Sequence, residues 1–309
     1  MPGELTRREV ILGAAAMGAT ALLRAEAQGQ AAQARHGWPL ALNTSTIRPA
    51  SLEEKLRVAA EAGYDAVELW INELENYAKS GKELSDLRKR IADLGLFVPN
   101  IIGLWNCMPA ADEQRPAALE TARQRLDIAA QVGARCIAAI PTPDRPGMDL
   151  LWAAQRYREL LALGREFGVR VAIEFVGFFK GISRLGQAVA IGIETNERDA
   201  CMVADTFHLF RGGSGFNGIR HLNGDFTAVF HWNDAPAAPP RDQQRDADRV
   251  YPGDGVLPLP QLLRDLKAIG YRGPLSLELF NRDYWQQEPL AVARTGIAKM
   301  RRVIAESEM

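Results

Sequence analysis

The feature that most constrains the fold is a repeated alternation of short apolar runs with longer apolar patterns of helical period. Each short run suits one buried β-strand, and each longer pattern places its apolar residues along one face of a helix. The strand candidates are 40–46, 66–70, 97–104, 136–141, 169–175, 201–207, 228–234 and 275–280. The helix candidates are 52–62, 84–94, 117–132, 150–167, 185–193, 259–269 and 290–305, with a weaker one over 216–223.

Glycines mark the ends of many of the helix candidates. Gly63, Gly95, Gly133, Gly168 and Gly270 each stand just past an apolar helical pattern, where a left-handed C-cap favours glycine. Strands that alternate with helices predict βαβ units and a parallel sheet. Eight such units predict an α/β fold, a single (β/α)8 TIM barrel over residues 38–309. An open doubly wound sheet is the alternative, disfavoured because no G-x-G-x-x-G follows the first strand.

Composition and charge narrow the class of protein. The 309 residues are 47% hydrophobic and 24% charged, as in ordinary globular proteins, which excludes a disordered or fibrous chain. There are 37 Lys and Arg against 38 Asp and Glu. This balance argues against a dedicated nucleic-acid surface, which shows as a basic excess. Cys107, Cys136 and Cys201 are widely separated and flanked by apolar residues, so we interpret them as core residues.

The N-terminus has the layout of an export signal. Arg7 and Arg8 precede an apolar stretch, and residues 25–27 read Ala-Glu-Ala, the small-residue spacing of a cleavage site. The stretch is about 14 residues, shorter than the ~20 of a membrane-spanning helix. We therefore predict a twin-arginine-like signal over 1–27 and a tether over 28–37. The mature protein would be periplasmic or otherwise exported, with the export machinery as a partner and no stable membrane anchor. An uncleaved amphipathic helix is the alternative.

Four consecutive strand candidates end in a residue that can bind a metal ion. These residues are Glu174, Asp205, His231 and Glu278. The active site of a barrel lies at the C-terminal ends of its strands, and buried unpaired carboxylates are costly. One divalent ion would neutralise the cluster, and the oxygen-rich set suits Mn²⁺, Mg²⁺ or Co²⁺, with Zn²⁺ as an alternative. The competing interpretation is that nearby arginines satisfy each residue separately.

Two of these residues also suit proton transfer. Glu174 and Glu278 come from different strands, so they could remove a proton beside a carbonyl and return it elsewhere while the metal polarises the carbonyl. His208, three residues after Asp205, is predicted to bind a substrate oxygen or to hold a ligand carboxylate. A solvated loop histidine is the alternative for His208.

Further candidates for contact with a substrate stand near other strand ends. Glu68 ends the second strand, and Trp105, whose ring could stack on a sugar, follows the third. Core packing is an equal alternative for Trp105. Lys180 lies in the loop after the fifth strand and could reach a substrate oxygen, although a solvated lysine is the simpler account. Residues 235–248 form a long polar loop at the same end, which we interpret as a lid.

At these residues the sequence resembles the sugar phosphate isomerase/epimerase branch of the xylose-isomerase-like TIM-barrel superfamily. The resemblance covers nearly all of the predicted mature chain. The most specific matching segments are 63–68 (GYDAVE), 173–175 (IEF), 205–208 (DTFH), 231–234 (HWND) and 252–255 (PGDG). Ketose 3-epimerases, inosose isomerases and inosose dehydratases belong to this branch.

The resemblance implies roles for individual residues. The family's metal ligands map onto the four residues named above, and its histidine in D-x-x-H maps onto His208. The substrate-binding arginine that ketose epimerases carry six positions after the strand-seven histidine is Ala237 here, with Arg241 or Arg245 as possible replacements. A trinuclear zinc endonuclease of the same superfamily is excluded because the chain has four histidines in all.

The sequence as a whole predicts a divalent-metal-dependent isomerase or epimerase of a small carbohydrate. The alternatives are a metal-dependent lyase or dehydratase of a keto-sugar, keto-glycoside or keto-inositol, and a sugar-binding barrel without activity. A homo-oligomer is compatible with each of these three candidate functions, and we expect no nucleic-acid partner.

Overall fold

A closed barrel of eight parallel strands forms the centre of the molecule, in the order β1 to β8. The computed structural model describes residues 37–108 and 112–309. The strands are β1 Leu40–Asn43, β2 Ala66–Trp70, β3 Ile101–Leu104, β4 Cys136–Ala139, β5 Arg170–Glu174, β6 Cys201–Asp205, β7 Thr227–Trp232 and β8 Leu275–Leu277. The predicted single (β/α)8 barrel is confirmed, and the doubly wound sheet is excluded because β8 pairs with β1.

Helices surround the barrel and follow the predicted periodicity. They are α1 Leu52–Ala62, α2 Ile71–Lys79, α3 Leu84–Asp93, α4 Arg115–Gln131, α5 Leu150–Phe167, α6 Leu185–Glu194, α7 Thr206–Arg211, α8 Leu259–Ala268 and α9 Pro289–Ser307. Gly63 and Gly168 cap α1 and α5 in the left-handed conformation, as the sequence predicts. Residues 216–223, predicted as a weak helix, form the short 3-10 helix Asn217–His221.

Two helices lie where the sequence predicts none. The helix α2 begins directly after β2, and its buried apolar residues are only Ile71 and Leu74, too few to produce a clear periodic signal. The helix α7 begins inside the predicted sixth strand, because the side chain of Asp205 accepts a hydrogen bond from the backbone N–H of His208 and caps the first turn. The strand ends were therefore predicted too far along the chain.

The register of the strands brings their polar ends to one side of the barrel. Asp205 on β6 is paired with His231 on β7, and Asn43 on β1 with Glu68 on β2. Neighbouring parallel strands end at the same edge, so these side chains share the C-terminal mouth of the barrel.

The opposite, structural side of the barrel is tied together by a buried tyrosine. The hydroxyl of Tyr157 on α5 lies 2.8 Å from the carbonyl oxygen of Val171 and 2.7 Å from that of Cys201, and it accepts a hydrogen bond from the N–H of Cys201 at 3.1 Å. This contact holds α5 against β5 and β6.

Residues 1–36, which carry most of the predicted signal and tether, lie outside the described residues. Within the ranges that the structure describes, no helix is both long and apolar enough to cross a membrane.

Candidate active site

Side chains from four consecutive strands meet at the C-terminal mouth of the barrel. The Nδ1 atom of His231 lies 3.3 Å from Glu174 Oε1, 3.4 Å from Asp205 Oδ2 and 3.1 Å from Glu278 Oε2. One candidate ligand atom each from Glu174, Asp205 and His231 falls within 4.8 Å of the others. The structure therefore brings together the four residues that the sequence singles out as metal ligands.

The arrangement of donors fits a bound divalent cation. Three carboxylate oxygens surround the Nδ1 atom of His231, yet this buried nitrogen makes no hydrogen bond among the described residues. A buried polar atom without a partner is costly, and so are like charges brought together in a dry site. A cation held by these oxygens and by Nδ1 would remove both costs, and three oxygens with one nitrogen form a hard donor set.

Glu68 lies behind His231. Its Oε1 atom lies 3.0 Å from His231 Nε2 and accepts a hydrogen bond from Asn100, and its Oε2 atom accepts hydrogen bonds from Asn43 and Ser276. These four contacts occupy a fully buried carboxylate. The structure places Glu68 behind His231 and outside the cavity wall, and its predicted contact with a substrate stays a prediction. The carboxylate accepts the Nε2–H hydrogen bond of His231 and leaves Nδ1 for a metal ion, an orientation typical of metal-binding histidines.

Arg249, which the sequence motifs do not indicate, is also part of the site. Its Nη1 atom donates to Asp205 Oδ2 at 2.6 Å and to Glu278 Oε2 at 2.8 Å, and its Nη2 atom donates to Asp246. The side chain is only 1% exposed and lies over the ring of Phe207. The family pattern places the substrate-binding arginine six positions after His231, at Ala237. In this chain the loop is long, and the arginine that reaches the site lies near its end, just before the Pro252–Gly255 turn.

Arg241, predicted as a substrate contact, does not line the catalytic cavity. It is exposed, and its guanidinium lies beside Gly213. Residues 240–243 are exposed whereas Arg249 lines the cavity, and the predicted contact of Arg241 with a substrate stays a prediction.

Burial and neighbouring charges separate the pKa values of the site. Burial raises the pKa of Glu174 to about 7 and also raises that of Glu278, although His231 opposes both shifts. Burial opposes ionisation of Asp205, but Arg249, His208 and His231 together outweigh it and hold the pKa of Asp205 well below its usual range. Burial alone would lower the pKa of His231, yet the surrounding carboxylates raise it well above the ordinary value. Glu174 is thus suited to exchange a proton near neutral pH.

His208 lies in the wall of the same cavity. Its side chain is buried, its Nδ1 atom makes no hydrogen bond among the described residues, and its Nε2 atom lies 3.3 Å from Arg249 Nη2. Burial lowers the pKa of His208 to about 4, so its ring is neutral at pH 7. The solvated-loop alternative is excluded for His208, and its predicted contact with a substrate oxygen stays a prediction.

A cavity of about 160 Å³ opens in front of these residues. Its polar wall includes Glu174, His208 and Arg249, and aromatic rings, among them Trp70 and Trp105, line it together with aliphatic side chains. Trp105 stacks on Trp70 with ring centroids 5.7 Å apart. Trp105 therefore lines the cavity, where a sugar could contact it, and also packs within an aromatic cluster.

Lys180 is placed away from the cavity. It is exposed, its backbone N–H donates to the carboxylate of Asp144, and its side chain is not part of the cavity wall. This placement favours the simpler account of a solvated lysine, and the predicted contact of Lys180 with a substrate stays a prediction.

A single carboxylate holds the loop that carries Arg249. Asp234 Oδ1 accepts hydrogen bonds from the N–H groups of Ala235 and Leu257, and Oδ2 accepts from Gly253 and Gly255. The backbone of Asp234 also pairs with that of Val250, the neighbour of Arg249. The loop is therefore fixed at both ends, which places Arg249 over the site.

Residues 56–303 match the model of a known protein family, described as xylose isomerase-like TIM barrel. The chain belongs to this family. The match covers most of the barrel and confirms the family resemblance seen in the sequence motifs.

Several proteins of known name are similar to this chain. A 3-dehydroshikimate dehydratase of Pseudomonas aeruginosa is 28% identical over 254 residues, which are 81% of this chain but 39% of that protein. An inosose isomerase of Bacillus licheniformis is 26% identical over 261 residues, 81% of this chain and 92% of the relative. The crystal structure of the IOLI protein with a binding zinc atom superposes with a TM-score of 0.81 at 22% identity, covering 87% of this chain and 99% of that one.

Proposed function

We propose that the protein is a divalent-metal-dependent isomerase or epimerase of a keto-sugar or related polyol. The observation that carries the proposal is the convergence of three buried carboxylates on the unpartnered Nδ1 atom of His231. Glu174, Asp205, His231 and Glu278 would hold the metal ion. When bound, such an ion polarises a substrate carbonyl and acidifies the neighbouring C–H bond.

The proposed acid and base are residues of this chain. The carboxylate of Glu174 would take the proton from the carbon beside the carbonyl, and its carboxylic acid would return one. Glu278 directly follows β8, three strands from β5 in the barrel, and serves as the second acid or base. Arg249 holds Asp205 and Glu278 in position, neutral His208 orients a substrate oxygen, and the aromatic rings of the wall keep water from the reacting carbon.

The names of relatives support this reaction class. The Bacillus licheniformis relative is an inosose isomerase, and a solved structure with a TM-score of 0.71 at 19% identity is an L-ribulose 3-epimerase. Both act on small polyhydroxylated molecules, which fit a cavity of this kind.

A dehydratase is the second candidate, favoured by the similarity to 3-dehydroshikimate dehydratase. It would begin with the same proton removal, but the acid would then protonate a leaving hydroxyl rather than a carbon. Deuterium uptake by recovered substrate in D₂O would support the isomerase, and an unsaturated product with loss of water would support the dehydratase.

The decisive first experiment is metal analysis of the purified chain and of His231→Ala, with His221→Ala as the matched control. His221 is exposed and lies in the 3-10 helix outside the site. We expect about one divalent ion per chain in the wild type and in His221→Ala, and a loss in His231→Ala. Equal metal contents in all three proteins, or no ion after incubation with Mn²⁺, Mg²⁺, Co²⁺ or Zn²⁺, would leave a sugar-binding barrel without activity as the better account.

Export of the protein is also a proposal, and it rests on Arg7, Arg8 and the apolar stretch after them. Fractionation of cells that express the full chain tests it, with Arg7→Lys/Arg8→Lys as the comparison. Mature protein outside the cytoplasm only for the unchanged sequence would support a twin-arginine route.

A further inference from the structure

A second cavity adjoins the catalytic cavity on the side of β1 and β2. We call it the side pocket; its wall includes Ser45, Arg48, Trp70, Asn72, Asn76 and Tyr77. Its volume is about 390 Å³, larger than the roughly 160 Å³ of the catalytic cavity. Trp70 belongs to both walls, so the two cavities lie next to each other at this residue.

The sizes of the two cavities favour a substrate longer than one sugar ring. Ligand sites in proteins typically enclose about 300–1,000 Å³. The catalytic cavity alone falls below that range, whereas the neighbouring side pocket falls within it. The reacting unit would occupy the smaller cavity and the rest of the molecule the larger one.

The charges in the side pocket leave one cation without a counterion. Lys55 is paired with Glu73 at 2.6 Å, and Lys82 is paired with Glu53. Arg48, the third basic residue of the wall, has no carboxylate partner within the described ranges. The pocket therefore presents one unbalanced positive charge, which suits an anionic group.

The guanidinium of Arg48 is held in place by aromatic rings. Its Cζ atom lies 5.2 Å from the ring centroid of Trp70, 5.7 Å from that of Phe280 and 5.7 Å from that of Trp285. The indole nitrogens of the two tryptophans donate to Asn43 Oδ1 and to the carbonyl oxygen of Ser45, which fixes both rings. A stacked guanidinium keeps the N–H groups at its edge free, in the planar fork that matches a carboxylate.

The position of Arg48 links it to the catalytic cavity. Two of its three aromatic neighbours, Trp70 and Phe280, are also part of the catalytic wall. Arg48 is therefore at the boundary between the cavities, where it can contact a substituent that extends from the reacting unit.

Uncharged polar groups complete the side pocket. Asn72 and Asn76 stand four residues apart on α2 and are both exposed at the wall, and the buried hydroxyl of Ser45 has no hydrogen-bond partner among the described residues. Amides and hydroxyls of this kind suit the hydroxyl groups of a carbohydrate. The pocket thus combines one free cation with neutral polar groups.

We propose that the side pocket binds the acidic distal unit of the substrate, so that the substrate is a carbohydrate derivative with a carboxylate away from the reacting carbon. Arg48 selects the acid by a bidentate ion pair. The proposal rests on the proposed function for the reacting unit and adds the class of the substituent that unit carries.

The test is calorimetric binding of matched neutral and acidic carbohydrates to the full chain. The pairs are glucose and glucuronate, galactose and galacturonate, and cellobiose and cellobiouronate. We expect the acidic member of at least one pair to bind about tenfold more tightly, since charge-assisted hydrogen bonds are roughly twice as strong as neutral ones. Arg48→Gln should remove this preference and Arg48→Lys should retain part of it.

The matched control is Arg220→Gln, which removes an exposed arginine whose partner Asp265 lies outside both cavities. It should bind every compound as the wild type does, and thermal melts should show that the Arg48 variants remain folded. Equal binding within all pairs, a preference that survives Arg48→Gln, or no binding by any compound would overturn the proposal. Because the readout is binding, a protein that binds acids through Arg48 but holds no metal would refute the proposed function alone.

Discussion

The carboxylate of Asp234 gives the sharpest test of how the structure positions its site. It is 1% exposed and accepts four backbone hydrogen bonds, two at each oxygen, with lengths of 2.8–3.1 Å. Asp234→Asn keeps the shape but replaces one oxygen by an NH₂ group. Whichever way the amide turns, two backbone N–H groups then face a donor instead of an acceptor.

The expected loss of stability follows from that count. An unsatisfied buried N–H costs about 1–3 kcal/mol, so two give about 4 kcal/mol. An unfolding entropy of about 2.1 cal/mol/K per residue makes 1 kcal/mol correspond to roughly 1.5 °C for 309 residues, so the melting temperature should fall by about 6 °C. Limited proteolysis should show earlier cleavage within residues 235–257, because the carboxylate fixes the far end of that loop.

The control for this prediction is Asp225→Asn. Asp225 is exposed, and its carboxylate accepts no hydrogen bond from the described residues, so its variant should melt within about 1 °C of the wild type. If Asp234→Asn also melted within 1 °C and its loop were cleaved no faster, the claim that this carboxylate holds Arg249 over the site would be wrong.

Three further predictions concern the metal site and the barrel. Metal affinity, measured by competition with a chelator, should rise between pH 6 and pH 8, since His231 and Glu174, whose pKa values are raised, must lose protons to bind the ion; a flat profile would contradict this. Gly224→Ala places a methyl group against the backbone of Tyr271, so denaturant melts should show a loss of about 1–3 kcal/mol, and unchanged stability would refute the close packing. Tyr157→Phe removes the hydroxyl that bridges α5, β5 and β6, with a similar expected loss of about 1–3 kcal/mol in the same assay.

The barrel could be predicted because its signals are local and repeated. Both α1 and α5 have the bounds that apolar periodicity gives, since each buries one continuous face and ends at a left-handed glycine. The strand ends could not be predicted as well. Asp205 is the last residue of β6, and its side chain caps α7 directly after it, so Thr206 and Phe207, predicted as strand residues, belong to the helix.

The cluster of four candidate metal ligands could be predicted because each one is a polar residue at the buried end of a strand. A carboxylate at the end of an apolar strand is costly, and four such positions on consecutive strands have few explanations. Glu68 is also a carboxylate near the end of an apolar strand, but it contacts the Nε2 atom of His231, on the other side of the ring from the candidate ligands. Its position follows from the pairing of Asn43 with Glu68 between β1 and β2, which the sequence alone does not show.

Arg249 could not be assigned because its distance along the chain from β7 is set by a long loop. Among several arginines in residues 235–257, the one that enters the site is the one next to the backbone pairing of Asp234 with Val250. Sequence spacing from His231 carries no information about that pairing. The Pro252–Gly255 turn, three residues after Arg249, is a closer marker of this arginine than His231.

The charges of the site explain why metal binding should be coupled to two protons. Glu68, Glu174, Asp205 and Glu278 carry four negative charges when ionised, and Arg249 compensates one of them. In the metal-free site the carboxylates raise the pKa of His231 well above its ordinary value, so the imidazole takes up its proton at a higher pH than a free histidine, and Glu174, whose pKa is about 7, gains a second proton below pH 7. A divalent ion that displaces both protons leaves the net charge of the buried site unchanged. The buried site therefore has the same net charge in its protonated, metal-free state and in its metal-bound state. The metal affinity should rise by about tenfold per pH unit for each proton displaced, more steeply below pH 7 than above it.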